Sequence, residues 1–154
     1  MNTRRIVVVG AGQAGVQTAE ALRAGGFDGE LLLLGDEAHA PYHRPPLSKA
    51  WLAGEMEAAQ LQMRSPEALA RKQIDLKLGA SVRSINRDQC ALVLTDGQVL
   101  NYTGLVLASG STPRRLALPG SDAPNVLALR SRDDAEMIAG QMAVAAELGL
   151  PLVV

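Results

Sequence analysis

Apolar positions along the chain fall into two regimes. The first opens with "IVVV", Ile6 to Val9, an unbroken β-branched run of the kind buried on both faces of a parallel sheet. After "GAGQAG" the small or apolar residues Gly15, Ala19 and Leu22 recur at helical spacing, which predicts a helix that Gly25 and Gly26 stop. The run "ELLLLG" then predicts a second strand, so the first thirty-six residues read as strand, turn, helix, strand. "RPPLSKAWLAG" predicts a helix starting near Pro46 and ending at Gly54, with Lys49 one turn in. "SPEALARKQ" predicts another, with Ser65 as N-cap and Pro66 at its first position. From Ile74 the second regime begins, with short strands predicted over Ile74–Leu78 and Val82–Ile85. "ALVLTDGQVLNY" follows as a hairpin turning at Asp96-Gly97. "GLVLASG" reads as a buried strand that ends in the small-residue turn Ala108–Gly110. A last helix starts at Ser131, with Asp134 in capping-box spacing, and Gly149 and Pro151 close it before "LVV" opens a strand. The fold class expected is α/β, a parallel sheet with a small β-meander.

Composition narrows the function classes. With 154 residues, 47% apolar and 20% charged, the chain suits one substantial core or part of a larger one. A net charge of −1 gives no basic footprint for nucleic acid, and no apolar run approaches the length of a membrane span. The run after Arg4 and Arg5 is broken by Gly10 and lacks a cleavage site, so a cytoplasmic location is expected. The one cysteine, Cys90, excludes an internal disulfide, a CxxC pair and an all-cysteine metal site, and is expected to be a small core residue in a strand. His39 and His43 have ligand-like spacing, but Pro41 between them argues against a helix, and no metal site is expected.

The chemistry concentrates in the first unit. Gly10, Gly12 and Gly15 stand in GxGxxG spacing between a strand and a helix. The first permits a tight turn, the second a close approach of backbone to a pyrophosphate, the third close helix–strand packing. Asp36 ends the second strand, where a carboxylate accepts from ribose hydroxyls. These features predict a dinucleotide site without saying which dinucleotide. A domain for NAD would continue with strand–helix repeats, whereas this chain turns after Asp36 into "PYHRPPLSKAWLAGE".

On these residues the chain resembles the FAD-dependent pyridine-nucleotide oxidoreductases, and among them the ferredoxin reductases typified by the putidaredoxin and rubredoxin reductases. The resemblance runs from Ile6 to Val154. It rests on the glycine-rich unit, on "PYHRPPLSKAWLAGE", on "LVLASGSTPR" and on "LRSRDDAEMI". It implies a Rossmann-like, glutathione-reductase-like FAD-binding domain, here truncated. Residues 1–125 would be its N-terminal segment, and residues 126–154 a connecting helix and the first strand of an NAD(P)H-binding domain.

Lys49 would be the catalytic residue, lying beside the flavin. Matched to the cofactor are Ala14 and Asp36 at the ADP half, Val82 at the adenine and Arg130 near the flavin. The turn Ala108, Ser109 and Gly110 takes the place of the family's own small-residue turn, and Gly10, Gly12, Gly15, Glu37 and Pro45 are further cofactor-binding candidates; Arg44 is a candidate contact to the cofactor's phosphates or adenosine side, with a surface arginine as the alternative. The implied activity is electron transfer from NAD(P)H through FAD to a ferredoxin or rubredoxin. Sister groups carry a redox cysteine soon after the acid-terminated strand, and its absence here implies electrons leaving the flavin without a thiol relay. A flavin- or nucleotide-binding module without turnover is the alternative. Truncation would leave a sheet edge unpaired, so self-association is a further expectation.

Overall fold

In the computed structural model, which describes residues 4–151, the β-branched run forms β1 (Arg5–Val9). Helix α1 (Gln13–Ala24) and β2 (Glu30–Leu34) follow as the periodicity predicts. After a single 3-10 turn over Pro45–Ser48 come α2 (Ala58–Leu61), α3 (Pro66–Arg71) and β3 (Asp75–Lys77). The chain continues through β4 (Val82–Asn86), β5 (Ala91–Leu94), β6 (Val99–Asn101), β7 (Gly104–Leu107) and α4 (Arg132–Glu147).

The chain divides into two compact units. The first holds the residues up to Tyr42 together with Gln62–Gly110, and the second holds His43–Leu61 with the residues from Ser111 onward. In the first unit a parallel sheet has the order β3-β2-β1-β7, beside a three-stranded antiparallel meander β4-β5-β6. Alternation along the strands sorts the core. Val8, Leu31 and Leu33 face α1 and α3 through Val16, Ala19 and Leu69, while Val7 and Leu34 face the meander through Leu92 and Leu94. Both faces of β1 and β2 are therefore dry, which is why those strands read as continuous apolar runs. Arg23 braces the sheet's far end: its Nη1 donates to the carbonyls of Phe27 and Gly29 at 2.6 and 2.9 Å, and its Nη2 to that of Gln73 at 2.5 Å.

Four elements depart from expectation. β3 has the same short apolar signature as the meander strands, yet it pairs parallel with β2, Leu33 opposite Leu76, and belongs to the main sheet. β7 is not buried: it is the last strand of the sheet among the described residues, and Leu107 is 62% exposed. The helix expected over 46–54 is one 3-10 turn, with Lys49 as its C-cap at φ −129°, ψ −114°. Leu47 is the one buried residue of that turn, too little packing to hold a longer helix. Cys90 is not a core strand residue but an exposed turn residue between β4 and β5, at φ +47°. The strand expected over 152–154 lies outside the described residues.

In the second unit, Ser131 and Asp134 form the capping box that starts α4, Ser131 Oγ accepting from the Asp134 N–H at 3.1 Å. No helix among the described residues is long and apolar enough to cross a membrane.

Candidate nucleotide-binding site

The parallel sheet reverses its winding between β1 and β7, and the turns that leave those two strands carry the glycine motif and the Ala108–Gly110 turn. Such a reversal opens a crevice at the carboxyl ends of the strands. Gly10 sits in this crevice at φ +108°, its N–H donating to the Leu34 carbonyl at 2.8 Å. A Cβ there would lie 2.2 Å from the Ala108 carbonyl oxygen. At Gly15 it would lie 1.8 Å from the Gly10 carbonyl oxygen, so the first turn of α1 is pressed onto the glycine turn.

Gly12 is different in kind. Its φ of −81° suits any residue, and no protein atom lies within 4 Å of where its Cβ would stand. Nothing in the described protein explains a glycine at that position, whereas a ligand backed closely against the chain does. Gly12 is also the N-cap of α1, which has no side-chain cap and no acid in its first turn. The first N–H groups of the helix and the positive end of its dipole are left for an outside acceptor, and a phosphate meets that need. Ala14 lies in this turn.

A cleft of about 170 Å³ opens beside the glycine turn and is lined by Gly10, Asp36, Ser81, Val82 and Ser109 among others. Its volume suits part of a ligand, such as a nucleoside, and not a whole dinucleotide. The structure thus brings four of the residues expected from sequence around one opening, with Ala108 and Gly110 in the adjoining turn. Asp36 is exposed, and among the described residues its carboxylate has no hydrogen-bond or ion-pair partner. Glu37 is held otherwise: Tyr42, buried in the first unit, donates its hydroxyl to Glu37 Oε2 at 2.5 Å, and the Gly79 N–H donates to the Glu37 carbonyl at 3.0 Å. Of the two adjacent acids, Glu37 is engaged within the protein and the Asp36 carboxylate is left open to a ligand. Ser81 escaped the sequence reading, since a serine after "LGA" has no periodic signature, and Tyr42 carries little signal in the sequence for the same reason.

The remaining expected residues, Arg44, Pro45, Lys49 and Arg130, lie in the second unit. Pro45 opens the 3-10 turn and Lys49 closes it, exposed, with its N–H donating to the Pro46 carbonyl at 2.9 Å. Arg44 and Arg130 meet: Arg44 Nη1 donates to the Arg130 carbonyl at 2.7 Å. Arg132 stacks over Trp51, 4.9 Å from the ring centroid, a second tie between the junction and the start of α4. Burial pushes the Asp134 carboxyl up, but the Ser131 N–H and hydroxyl, the Arg130 N–H and the Arg44 charge together hold it below the ordinary carboxylate range. Its share of stability is therefore present at neutral pH and is lost as pH falls below that range.

A wider groove of about 770 Å³ runs along β4, lined by Ser84, Asn86, Arg87 and Asp88 among others. It shares no residue with the cleft at Gly10, and among the described residues no cluster of His, Cys, Asp or Glu is arranged for a metal ion.

Residues 4–144 match the family model described as pyridine nucleotide-disulphide oxidoreductase. The chain is 45% identical over 140 residues to putidaredoxin reductase of Pseudomonas putida, covering 89% of this chain and 33% of that protein. It is 39% identical over 143 residues to rhodocoxin reductase of Rhodococcus erythropolis, covering 93% of this chain and 34% of that one. A crystal structure of a covalent complex of putidaredoxin reductase with putidaredoxin superposes with a TM-score of 0.83 at 44% identity, covering 92% of this chain and 34% of that chain. The chain spans about a third of the length of the curated relatives it matches.

Proposed function

Because this chain belongs to the pyridine nucleotide-disulphide oxidoreductase family, we propose that it supplies the part of an NAD(P)H-dependent ferredoxin or rubredoxin reductase that holds FAD. One observation carries the reading: the uncapped start of α1 at Gly12 and the unpaired Asp36 lie at the carboxyl ends of adjacent parallel strands, where the pyrophosphate and ribose of an ADP moiety are recognised. In this reading Gly10, Gly15 and the Ala108–Gly110 turn shape the crevice, the first N–H groups of α1 about Ala14 bind the pyrophosphate, and Asp36 accepts from the ribose. Glu37 lends its backbone beside Asp36, and Val82 closes over the adenine. Of the residues in the second unit, Arg44 and Pro45 are assigned to the cofactor, Arg44 at its phosphates or adenosine side, and Lys49 and Arg130 to the flavin. When bound, FAD would supply the chemistry of accepting one hydride, and with it two electrons, from NAD(P)H and passing those electrons singly to an iron–sulfur protein. The Lys49 ammonium would favour negative charge developing at the ring.

We assign residues 1–125 to the FAD-binding segment and 126–154 to the connection into an NAD(P)H-binding domain. The sole cysteine lies in the β4–β5 turn, so the junction offers no thiol to relay electrons. A single cysteine also suits the cytoplasm.

The 154 residues carry one GxGxxG and so one such phosphate cradle, which leaves no second place to hold a nicotinamide in near-contact geometry with the flavin. Steady-state assays with NADH and NADPH, excess FAD and a one-electron acceptor are therefore expected to find no turnover by this chain alone. Clear turnover would overturn the assignment of the nicotinamide site. Among the described residues no strand pairs with the outer edge of β7, where Leu107 is exposed. Sedimentation is accordingly expected to show concentration-dependent association of this chain, and a monomer at every concentration would count against an active edge.

A further inference from the structure

The Asp36 carboxylate has no partner among the described residues, yet the residues on either side of it are clamped. Before it, the Gly35 N–H donates to the Lys77 carbonyl at 2.9 Å and the Gly35 carbonyl accepts from the Ala80 N–H at 2.8 Å. After it, the Glu37 carbonyl accepts from the Gly79 N–H at 3.0 Å, and the Glu37 carboxylate accepts from the Tyr42 hydroxyl at 2.5 Å. The first three bonds run between backbones and tie the end of β2 to β3 and the chain after it, which goes on to line the cleft with Ala80, Ser81 and Val82. The fourth joins two side chains, and its donor is fixed. Tyr42 is 8% exposed and its backbone bridges Gln62, while the carbonyl of buried Pro41 accepts from the Met63 N–H at 2.7 Å. A phenylalanine would fill the same space, so packing explains the ring and leaves the hydroxyl unexplained. All of these residues belong to the first compact unit.

We propose that Tyr42 is a positioning residue for Asp36: by holding the Glu37 carboxylate, it fixes the residue beside Asp36 and keeps the second acid out of the ribose site. The proposal rests on the FAD reading above. It gives Tyr42 a part in ligand recognition without any contact to the ligand. Two adjacent carboxylates free to turn would compete for the same hydroxyls and add repulsion toward a nearby pyrophosphate. A phenol hydroxyl on a charged acceptor makes a bond about twice as strong as a neutral one, enough to keep Glu37 turned away. With Glu37 held at both its carbonyl and its carboxylate, Asp36 leaves the chain between two fixed neighbours, and less freedom is lost when ribose binds.

ADP and its dideoxy analogue, which lacks both ribose hydroxyls, separate positioning of Asp36 from a general effect on the fold. Their affinities are measured by displacement of FAD, followed by flavin fluorescence, for the whole chain and for Tyr42→Phe. The parent is expected to bind ADP about twentyfold more tightly than the analogue, and Tyr42→Phe to lower that ratio to about fourfold through a loss in ADP alone. Glu37→Gln, which still accepts from Tyr42, should keep the parental ratio. Glu37→Ala removes the same bond from its other end and should lower the ratio as Tyr42→Phe does, which keeps the test open if Tyr42→Phe folds poorly. Equal losses of both nucleotides in Tyr42→Phe, with the ratio kept, would overturn the proposal in favour of a packing role. A parent that binds FAD but does not distinguish the two nucleotides would overturn it as well, because Asp36 would then have no ribose contact to position. Absence of FAD binding by the parent would instead overturn the reading of function itself, and this inference with it.

Discussion

Replacing Gly10 with alanine is expected to lower the melting temperature by about 10 °C, whereas the same change at Gly12 should leave it within about 2 °C and yet weaken FAD binding by roughly tenfold or more. The two glycines share a motif but not a physical cause. At Gly10 the backbone is at φ +108°, and a Cβ would stand 2.2 Å from the Ala108 carbonyl oxygen, a backbone atom that cannot swing away. Strain at φ above zero and overpacking each cost on the order of 1 to 3 kcal/mol, so a combined loss of about 3 kcal/mol is expected whether or not ligand is present. At Gly12 the Cβ meets nothing within 4 Å and φ is −81°, and glycine to alanine at a helix N-cap costs only roughly a few tenths of a kcal/mol. The methyl group would occupy the space in which a pyrophosphate approaches the start of α1. Thermal melts and FAD titrations of the two variants check this contrast; a Gly12→Ala variant that binds FAD as the parent does would remove the cradle from the account.

Asp36→Ala is expected to weaken FAD binding by about tenfold to a hundredfold, since a charged acceptor of ribose hydroxyls contributes roughly 1.5 to 3 kcal/mol. The neighbouring acid is poorly placed to compensate. Glu37 already receives the Tyr42 hydroxyl at 2.5 Å, and turning to the ribose would leave that buried phenol without its carboxylate partner. Glu37→Gln, whose amide oxygen still accepts from Tyr42, should therefore change affinity by no more than about threefold. Calorimetric titration of both variants with FAD tests the assignment, and a larger loss in Glu37→Gln than in Asp36→Ala would transfer the ribose contact to Glu37.

How far the site could be read from sequence follows from how local each feature is. The strand, glycine turn and helix of the first unit and the Ser131–Asp134 capping box are short-range features, and both form as read, with Gly25 and Ser65 capping their helices too. Features decided by distant partners were hidden. The apolar signature of β3 does not distinguish a parallel edge beside β2 from a meander strand; its pairing with Leu32–Leu34 does. Cys90 looks like a strand residue because apolar residues follow it, but the chain turns through it at φ +47° before β5 begins. Lys49 reads as helical from its neighbours, yet single-residue burial at Leu47 sustains only one 3-10 turn. The Tyr42–Glu37 and Arg44–Arg130 bonds join side chains to groups that no spacing rule links, the second across 86 residues.

The central claim is that this chain recognises the ADP half of FAD. The measurement that tests it most directly is a parallel titration of the isolated chain with FAD, FMN and NADH, followed by flavin and nicotinamide fluorescence. FMN shares the flavin and lacks the adenosine phosphate that the start of α1 and Asp36 address, so FAD should bind about a hundredfold more tightly than FMN. NADH, which has an ADP half without a flavin, should bind more weakly than FAD. Equal affinity for FMN and FAD, or tight binding of NADH with none of FAD, would contradict the account.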